Sequence, residues 1–271
     1  MKTGLDRDTQ DAFFTKKEVA KYLVDKTRSL YRFSDFDVII EPSAGSGVFS
    51  DLLRTYHKNV KAYDIEPRNR YVKRADFLKQ DLSRLRGKIM VIGNPPFGRQ
   101  SSMAKQFIAK SAEIADVIAF VLPKSFKKES MKNAFPPTFH LVSQSNLPRN
   151  SFEVDGMEYD VPCVFQIWEK RDRPRRIAKV EEPVGFRFVD KKTNPDFAIR
   201  RIGVNAGKIK TGAALIADCS ENSHYFIKLT GSHKRDFIAK YVKITFTFDN
   251  TVGPRSISKG ELVRKVNYLF L

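Results

Sequence analysis

The sequence predicts an α/β fold in which a mainly parallel sheet carries helices on both faces, followed by a small β-rich carboxy-terminal domain. From residue 11 to about residue 170, short continuous apolar runs alternate with helix-spaced apolar patterns. Such runs are typical of parallel strands that are buried on both faces. A polar, proline-containing segment at 169–182 then precedes a stretch rich in Phe, Val, Ile and Thr. We therefore expect two domains, over residues 1–172 and 183–271.

The elements of the first domain follow from their apolar spacing. Residues 11–30 are predicted to be helical, with a capping box in which Thr15 and Glu18 satisfy each other's backbone amides. The predicted strands are 38–40, 60–63, 89–92, 117–122 and 161–168, and the further helices are 48–56 and 101–113. Because Pro162 cannot donate a backbone hydrogen bond, it indicates an edge strand or the first residue of a strand. In the second domain, residues 241–248 alternate as a strand does.

The charge of the chain indicates an anionic partner. Lys and Arg number 49 against 31 Asp and Glu, which gives a net charge of +18. The segment from residue 175 to the end carries +10 of this charge on 97 residues, so the carboxy-terminal part is the more basic. An excess of this kind most often serves nucleic-acid binding. The charges are dispersed rather than gathered on one amphipathic helix, which disfavours a membrane-surface role.

Cysteine usage and hydropathy limit the other classes. Cys163 and Cys219 have no metal-ligand spacing, so we expect no metal site and a reducing compartment. Neither a signal peptide nor an apolar run long enough to span a membrane is evident, and the expected location is cytoplasmic. No protein partner or oligomer is indicated.

A glycine-containing loop directly follows the first predicted strand and opens a helix. Its residues are Glu41, Pro42, Ser43, Ala44, Gly45, Ser46 and Gly47. Glycines let the backbone turn sharply and let a ligand approach it closely. The loop begins with a carboxylate, which suits a cationic ligand better than a pyrophosphate. Asp64 ends the second strand, where an acidic side chain can bind ribose hydroxyls.

A carboxylate beside an aromatic residue follows at Asp76 and Phe77. The carboxylate can accept a hydrogen bond from the amino group of a purine, and the aromatic ring can pack against the face of the base. Asp81, five residues later, is the competing choice, but only Asp76 has an adjacent aromatic residue.

The tetrapeptide Asn94, Pro95, Pro96 and Phe97 stands at the carboxyl end of the predicted strand 89–92. In an open parallel sheet, ligands bind at that edge. An aromatic amine is a poor nucleophile because its lone pair is delocalised, and two acceptors on its hydrogens favour a pyramidal, reactive nitrogen. The Asn94 side chain and the Pro95 carbonyl provide such acceptors, held by the restricted backbone of two prolines. Phe97 can stack on the base.

Together, these residues resemble the class I S-adenosylmethionine-dependent methyltransferases that modify the N6 amine of adenine. The motif order is similar to the gamma arrangement, which implies a Rossmann-like catalytic domain with target recognition at the carboxyl end. The resemblance covers roughly residues 10–170. It implies S-adenosylmethionine as cofactor, no metal, and DNA as the target more than RNA. The implied cofactor residues are Thr15, Glu41, Pro42, Ser43, Ala44, Gly45, Gly47, Asp64, Ile65, Asp76, Phe77 and Asn94.

An adenine inside a duplex must be extruded before it can be methylated, and the extruded base needs stacking and phosphate contacts. For stacking, Phe97 offers one face and Phe152 a second candidate that can equally be a core residue. For phosphates, the candidates are Lys124, Arg200, Arg201 and Lys208.

Three alternatives remain open on the same motif. An Asn-Pro-Pro-aromatic tetrapeptide also occurs in RNA adenine methyltransferases and in enzymes that methylate the glutamine of release factors. The glutamine alternative leaves the net charge of +18 unexplained. The third alternative is an inactive paralogue that only binds nucleic acid.

Overall fold

The computed structural model describes residues 13–154, 156–177, 181–230, 234–246 and 255–270. The chain divides into two compact units, residues 1–177 and residues 178–271, and the boundary falls inside the charged segment 169–182. Among the described residues, no helix combines the length and the apolarity needed to cross a membrane.

The first unit contains ten strands and four helices within its described residues. The strands are β1 (Phe14–Thr15), β2 (Val38–Glu41), β3 (Val60–Asp64), β4 (Lys73–Arg74), β5 (Ile89–Gly93), β6 (Val117–Pro123), β7 (Phe139–Asn146), β8 (Phe152–Val154), β9 (Met157–Tyr159) and β10 (Cys163–Lys170). The helices are α1 (Lys17–Leu30), α2 (Val48–Arg54), α3 (Ser102–Ala112) and α4 (Glu129–Lys132).

Seven of these strands form one sheet in the order β4-β3-β2-β5-β6-β10-β7. The pairs β4–β3, β3–β2, β2–β5 and β5–β6 are parallel, whereas β10 runs antiparallel to both of its neighbours. Within this sheet, β2 is the first strand along the chain, and β3 and β4 follow on one side of it. The next strand, β5, lies on the other side of β2.

Helices cover both faces of this sheet. On one face, α1 and α2 bury residues such as Leu23 and Phe49 against Ile39 of β2. On the other face, α3 buries Phe107 and Ile108. The predicted α/β fold with a Rossmann-like sheet and an additional β-containing region is confirmed.

The amino-terminal segment differs from its prediction. The helix begins at Lys17, and residues 14–15 instead form β1, which pairs with β8. The capping box of Thr15 and Glu18 is wrong, because the extended residue Lys16 precedes the helix and no side chain caps it. The Lys16 amide donates to the Ser151 carbonyl, so this segment is held by strand pairing with a remote part of the chain.

The strand predicted at 161–168 is β10, which begins directly after Pro162. The strand-start interpretation of Pro162 is therefore right and the edge interpretation is wrong, because β10 lies between β6 and β7. Its first six residues are all buried despite their alternating pattern.

The second unit is a four-stranded antiparallel sheet with three helices among its described residues. The strands are β11 (Phe186–Phe188), β12 (Phe197–Arg200), β13 (Ile209–Thr211) and β14 (His224–Leu229), in the order β11-β14-β12-β13. The helices are α5 (Ala213–Ala217), α6 (Lys234–Tyr241) and α7 (Lys259–Asn267). Residues of α6 and α7, among them Phe237, Tyr241 and Leu262, pack with the sheet in one core.

The strand predicted at 241–248 is wrong over its described part. Tyr241 ends α6, residues 242–246 form no strand, and residues 247–248 lie outside the described residues. One helical turn brings the Tyr241 ring 5.8 Å from the Phe237 ring, and the Tyr241 hydroxyl donates to the Gly207 carbonyl. These contacts require the helical spacing of four residues.

Arg175 belongs structurally to the first unit, although it follows the last strand. Its Nη2 donates to the Lys132 and Phe135 carbonyls at 2.9 and 2.8 Å. Its guanidinium lies 5.3 Å from the ring of Trp168, which stacks on Phe135. A fragment that ends at Lys170 loses these contacts, so the first unit should be isolated as residues 1–177.

We predict that Arg175→Ala lowers the free energy of unfolding of this unit by about 1–3 kcal/mol, because two carbonyls lose a charged donor. Urea denaturation of the 1–177 fragment measures the effect. Arg176→Ala, at an exposed neighbouring side chain, is the matched control and should change stability by less than about 0.5 kcal/mol. Equal losses in the two variants would contradict the prediction.

Candidate functional site

A cavity of the first unit lies where strands β2 and β5 end. The chain leaves β2 toward β3 and leaves β5 toward β6, which is the opposite side of the sheet. In open α/β sheets, ligands bind in the crevice outside the carboxyl ends of the strands at such a point. The cavity here has a volume of about 400 Å³, within the ~300–1,000 Å³ range of small-molecule sites.

Most of the residues singled out by the sequence line this one cavity. They are Thr15, Glu41, Pro42, Ser43, Ala44, Gly45, Asp64, Ile65, Asp76, Phe77, Asn94, Pro95, Pro96 and Phe97. Gly47 is not in the wall. Its amide donates to the Ala44 carbonyl and its φ is +84°, so it shapes the turn that presents the wall.

The glycine loop is closed onto its neighbours by backbone contacts. Gly45 has a φ of +49°, which favours glycine, and a Cβ built there would lie 2.7 Å from the Phe14 ring. The Gly45 amide donates to Asp64 Oδ2 at 2.7 Å. The Arg68 amide donates to the Gly45 carbonyl at 2.9 Å. Side chains at position 45 are therefore excluded both by backbone conformation and by space.

Glu41 is the buried carboxylate of the site. It is 2% exposed, and its Oε2 accepts the Ser50 amide in the first turn of α2 at 2.6 Å. Burial raises the pKa of the Glu41 carboxyl well above its usual value, while the Ser50 contacts oppose that shift. Burial thus favours the protonated form of the Glu41 carboxyl. The positive amino-terminal end of α2, which contacts this group through the Ser50 amide, favours the ionised form.

Two other carboxylates in the cavity wall also bind backbone amides. Asp64 Oδ1 accepts the Glu66 amide at 2.8 Å, in addition to the bond from Gly45. Asp76 Oδ1 accepts the Leu78 amide at 3.0 Å. Since each carboxylate can accept about four hydrogen bonds, both retain capacity for ligand donors.

Aromatic side chains form the apolar part of the wall. Phe77 is buried between Tyr63 and Phe107, with ring centroids 6.0 and 5.8 Å away. Phe97 is half-buried at the carboxyl side of β5. Ile65 lies at the cavity with 63% of its surface exposed, which is unusual for a large apolar side chain.

Asn94 presents an acceptor that has no protein donor. Its Nδ2 donates to the Phe13 carbonyl at 3.0 Å, which fixes the orientation of the amide. The Ser43 hydroxyl donates to the Asn94 carbonyl at 3.1 Å. Asn94 Oδ1 is buried and, among the described residues, has no hydrogen-bond donor. An unsatisfied buried acceptor is costly, so a ligand donor is the simplest partner for this oxygen.

One sequence-based alternative, the stacking role of Phe152, is contradicted, and the phosphate-contact candidates stay predictions. Phe152 is fully buried between the sheet and the Phe13 ring, so as a stacking partner for an extruded base it is wrong. Lys124 lies in the turn after β6 and is not part of the cavity wall. Arg200, Arg201 and Lys208 belong to the second unit.

Several further residues line the wall that were not predicted from the sequence, chiefly Phe13, Phe14 and Arg68. The Arg68 guanidinium lies 4.4 Å from the centroid of the Phe14 ring, so these two side chains cover one side of the cavity together. Two phenylalanines directly before Thr15 were the available signal, but the predicted helix over 11–30 concealed it.

The comparisons with known proteins give distant likenesses, and no family model matches the chain. Protein Enhanced Downy Mildew 2 of Arabidopsis thaliana is 27% identical over 189 residues, which cover 62% of this chain but only 14% of that relative's length. A proposed RNA methyltransferase from Pyrococcus horikoshii is 18% identical over 63% of this chain and 92% of its own, with a TM-score of 0.47. The methyltransferase subunit of a type I restriction-modification system from Streptococcus thermophilus is 15% identical over 87% of this chain and 54% of its own, with a TM-score of 0.44.

These likenesses include methyltransferases, but the structural matches are under 20% identical and their TM-scores are below 0.5. A function proposed for this chain therefore rests on the residues of its own cavity rather than on these proteins.

We predict that Glu41→Gln makes stability less dependent on pH. The pKa of Glu41 is higher in the folded than in the unfolded state, so the folded state keeps a proton that the unfolded state has lost. Wild-type stability therefore falls as pH rises through that window, from about 4.3 upward. Gln can still accept the Ser50 amide but does not titrate, so the stability of the variant relative to wild type should increase with pH.

Urea denaturation at several pH values between about 4 and 8 measures this difference. Glu66→Gln, at an exposed carboxylate of the same cavity wall, is the control and should show no comparable trend. A difference between Glu41→Gln and wild type that stays constant with pH would rule out the buried carboxyl as its source.

Proposed function

We propose that the first unit binds S-adenosylmethionine and methylates the N6 amine of adenine in a nucleic acid, with DNA favoured over RNA. The observation that carries the proposal is Asn94 Oδ1, a buried acceptor without a protein donor in the described residues, at the edge of a ligand-sized cavity. An exocyclic amine supplies the missing donor, and the adjacent Pro95 carbonyl is available as a second acceptor for the same nitrogen.

The cavity fits the proposed cofactor in its distribution of charge and apolar surface. Carboxylates Asp64 and Asp76 suit ribose hydroxyls and the adenine amino group, Ile65 offers an apolar face to the adenine ring, and the buried Phe77 contributes to the apolar wall. The glycine loop suits the methionine end, whose positive charge would favour the ionised form of Glu41 and so oppose the effect of burial. When bound, S-adenosylmethionine supplies an electrophilic methyl group on its sulfonium.

The residues of the tetrapeptide would prepare the target amine for attack. Asn94 and Pro95 accept its two hydrogens, which favours the pyramidal nitrogen whose lone pair is no longer delocalised into the ring. The Phe13 carbonyl keeps the Asn94 amide turned so that its oxygen, and not its nitrogen, faces the amine. Phe97 offers a stacking face for the base.

A nucleic acid is favoured as substrate by the net charge of +18 and by the basic carboxy-terminal part. In this proposal, Arg200, Arg201 and Lys208 of the second unit and Lys124 of the first contact phosphates, and the second unit acts in target recognition. Lys208 is exposed, whereas Arg200 and Arg201 are half-buried, with each Nε donating to a backbone carbonyl. RNA adenine is the alternative substrate, and protein glutamine fits the charge least well.

Incubation with S-adenosylmethionine labelled in its methyl group tests the proposal directly. Duplex DNA, single-stranded DNA, RNA and a protein extract are offered separately, and digested nucleosides are analysed by mass spectrometry. Label in N6-methyladenine of DNA is the expected result, and label in N6-methyladenine of RNA alone would select the alternative. Label in N4-methylcytosine or N5-methylglutamine as the sole product would overturn the assignment.

We predict that Asp76→Ala weakens S-adenosylmethionine binding about tenfold or more, because a ligand donor loses a charged acceptor. Asp81→Ala is a closely matched control. Asp81 also accepts the amide two residues ahead at 3.0 Å, but it is exposed and outside the cavity wall. Calorimetry on both variants separates a ligand contact from local turn capping. An equal loss in the two variants would remove Asp76 from the cofactor site.

We further predict that Asn94→Ala lowers the rate of methyl transfer by about 10²–10³-fold, since one acceptor of the reacting amine is lost. Cofactor affinity should stay within a few-fold of wild type, because Oδ1 is proposed to contact the target. The measurements are single-turnover transfer of labelled methyl groups and calorimetry with S-adenosylmethionine. Asn59→Ala is the control, because Asn59 directly precedes β3, at the end of the strand away from Asp64 and the cavity. It should leave both the transfer rate and the cofactor affinity unchanged. Transfer at the wild-type rate by Asn94→Ala would exclude this role for Asn94.

A further inference from the structure

A second pocket, in the second unit, lies beside the first residues of β14. The pairing of β11 with β14 ends at Phe188 and Ile227, so His224 and Tyr225 extend past the end of β11. The pocket beside them has a volume of about 210 Å³. We call it the β14 pocket, and its wall includes His224, Tyr225 and Phe188.

The hydrogen bonds of His224 define which kind of group the pocket can take. His224 Nδ1 lies 3.2 Å from the Ser220 carbonyl oxygen and 3.0 Å from the Ser223 hydroxyl. We assign the hydrogen to Nδ1, because the Ser220 carbonyl can only accept a hydrogen bond and the Ser223 hydroxyl can accept one as well. Burial lowers the pKa of His224, and so do the charges of Arg200, Lys210 and Lys191, whereas the hydrogen bond to Ser220 opposes the shift. The net effect favours the neutral ring.

In a neutral imidazole with the hydrogen on Nδ1, Nε2 is an acceptor. This nitrogen is buried, the residue is 5% exposed, and no described residue donates to Nε2. A ligand that completes this site therefore needs an N–H or O–H donor.

The remaining wall carries both cations and carboxylates. Arg201 Nε donates to the Asn222 carbonyl, and its guanidinium lies 5.6 Å from the centroid of the Tyr225 ring. Lys259 Nζ lies 4.9 Å from the centroid of the Phe188 ring. Lys191 also lines the pocket, as do the carboxylates of Asp190 and Glu221.

This combination disfavours a bare anion. Three cations attract a phosphate, but a neutral imidazole acceptor and two carboxylates need ligand donors instead. A nucleotide has both properties, because its phosphate is anionic and its base and sugar carry N–H and O–H groups. Aromatic rings and arginine guanidinium planes are also the surfaces on which unpaired bases stack.

We infer that the β14 pocket binds one nucleotide unit, with its phosphate toward Arg201 and Lys259 and a base or sugar donor on His224 Nε2. The inference concerns the second unit alone, goes beyond the methyl transfer proposed for the first, and can fail or hold independently of it.

Nuclear magnetic resonance of the full chain, with ¹⁵N-labelled histidine, tests this inference without any change in the pocket. The probes are AMP, CMP, GMP, UMP, inorganic phosphate and a short single-stranded oligonucleotide, and a His224→Gln sample assigns the resonance. At least one nucleoside monophosphate should shift the Nε2 resonance of His224 while the Nδ1 hydrogen is retained. The absence of such a shift at millimolar nucleotide, or an equal shift with inorganic phosphate, would overturn the inference.

Two variants then test the phosphate side by the same His224 signal. Arg201→Gln should weaken the nucleotide titration about tenfold or more, because a charged hydrogen-bond donor is lost. Lys240→Gln, which removes an exposed cation of the second unit outside the pocket, should change it less than twofold, as expected for a surface charge. Equal weakening by both variants would mean that the overall positive charge of the protein causes the effect. That result would contradict a phosphate contact at Arg201.

Comparison of the oligonucleotide with the mononucleotides shows whether the ligand is part of a strand or a free nucleotide. A His224 shift with both the oligonucleotide and a mononucleotide supports an unpaired nucleotide of a strand as the ligand. A shift with the mononucleotide alone supports a free nucleotide. Asn94→Ala protein should give the same titration as wild type, because Asn94 belongs to the first unit.

Discussion

Strands β2 and β5 lie side by side and parallel, and the chain leaves their carboxyl ends toward opposite sides of the sheet. At such a point a crevice remains between the two loops that follow the strands. The loop after β2 carries the glycines, and the loop after β5 carries the tetrapeptide. The Ser43 hydroxyl joins them by its bond to the Asn94 carbonyl. The glycine loop and the tetrapeptide thus share one wall, although about fifty residues separate them in the chain.

The residues of this wall were largely predictable because their constraints are local. Glycines at 45 and 47 are needed for a left-handed backbone, and consecutive prolines at 95 and 96 restrict theirs. Each of these signals can be read within a few residues. Their convergence follows from one general rule, since the carboxyl ends of parallel strands meet at the same edge of a sheet. Asp64 is the last residue of β3 and Asp76 follows β4 by two residues, so both carboxylates lie at this edge for the same reason.

The features that could not be predicted depend on remote partners. β1 has two residues, too few for any periodicity, and exists because it pairs with β8, well over a hundred residues later in the chain. Placing β10 between β6 and β7 likewise depends on the register of three strands. Phe152 resembles a loop aromatic in sequence, but its ring fills a core made by other segments. The pattern at 241–248 is typical of a strand. Its first residue, Tyr241, is instead the last residue of a helix, because its ring packs on Phe237.

The contact between Phe13 and Asn94 has a consequence for how this site tolerates change. The group that orients the Asn94 amide is a main-chain carbonyl, so no particular side chain at position 13 encodes it. Substitutions there preserve the contact as long as β1 keeps its register with β8. Adding or removing one residue between β1 and α1 shifts that register and turns alternate groups to the other side. The orientation of the Asn94 amide therefore depends on the length of this segment as well as on the packing of its side chains.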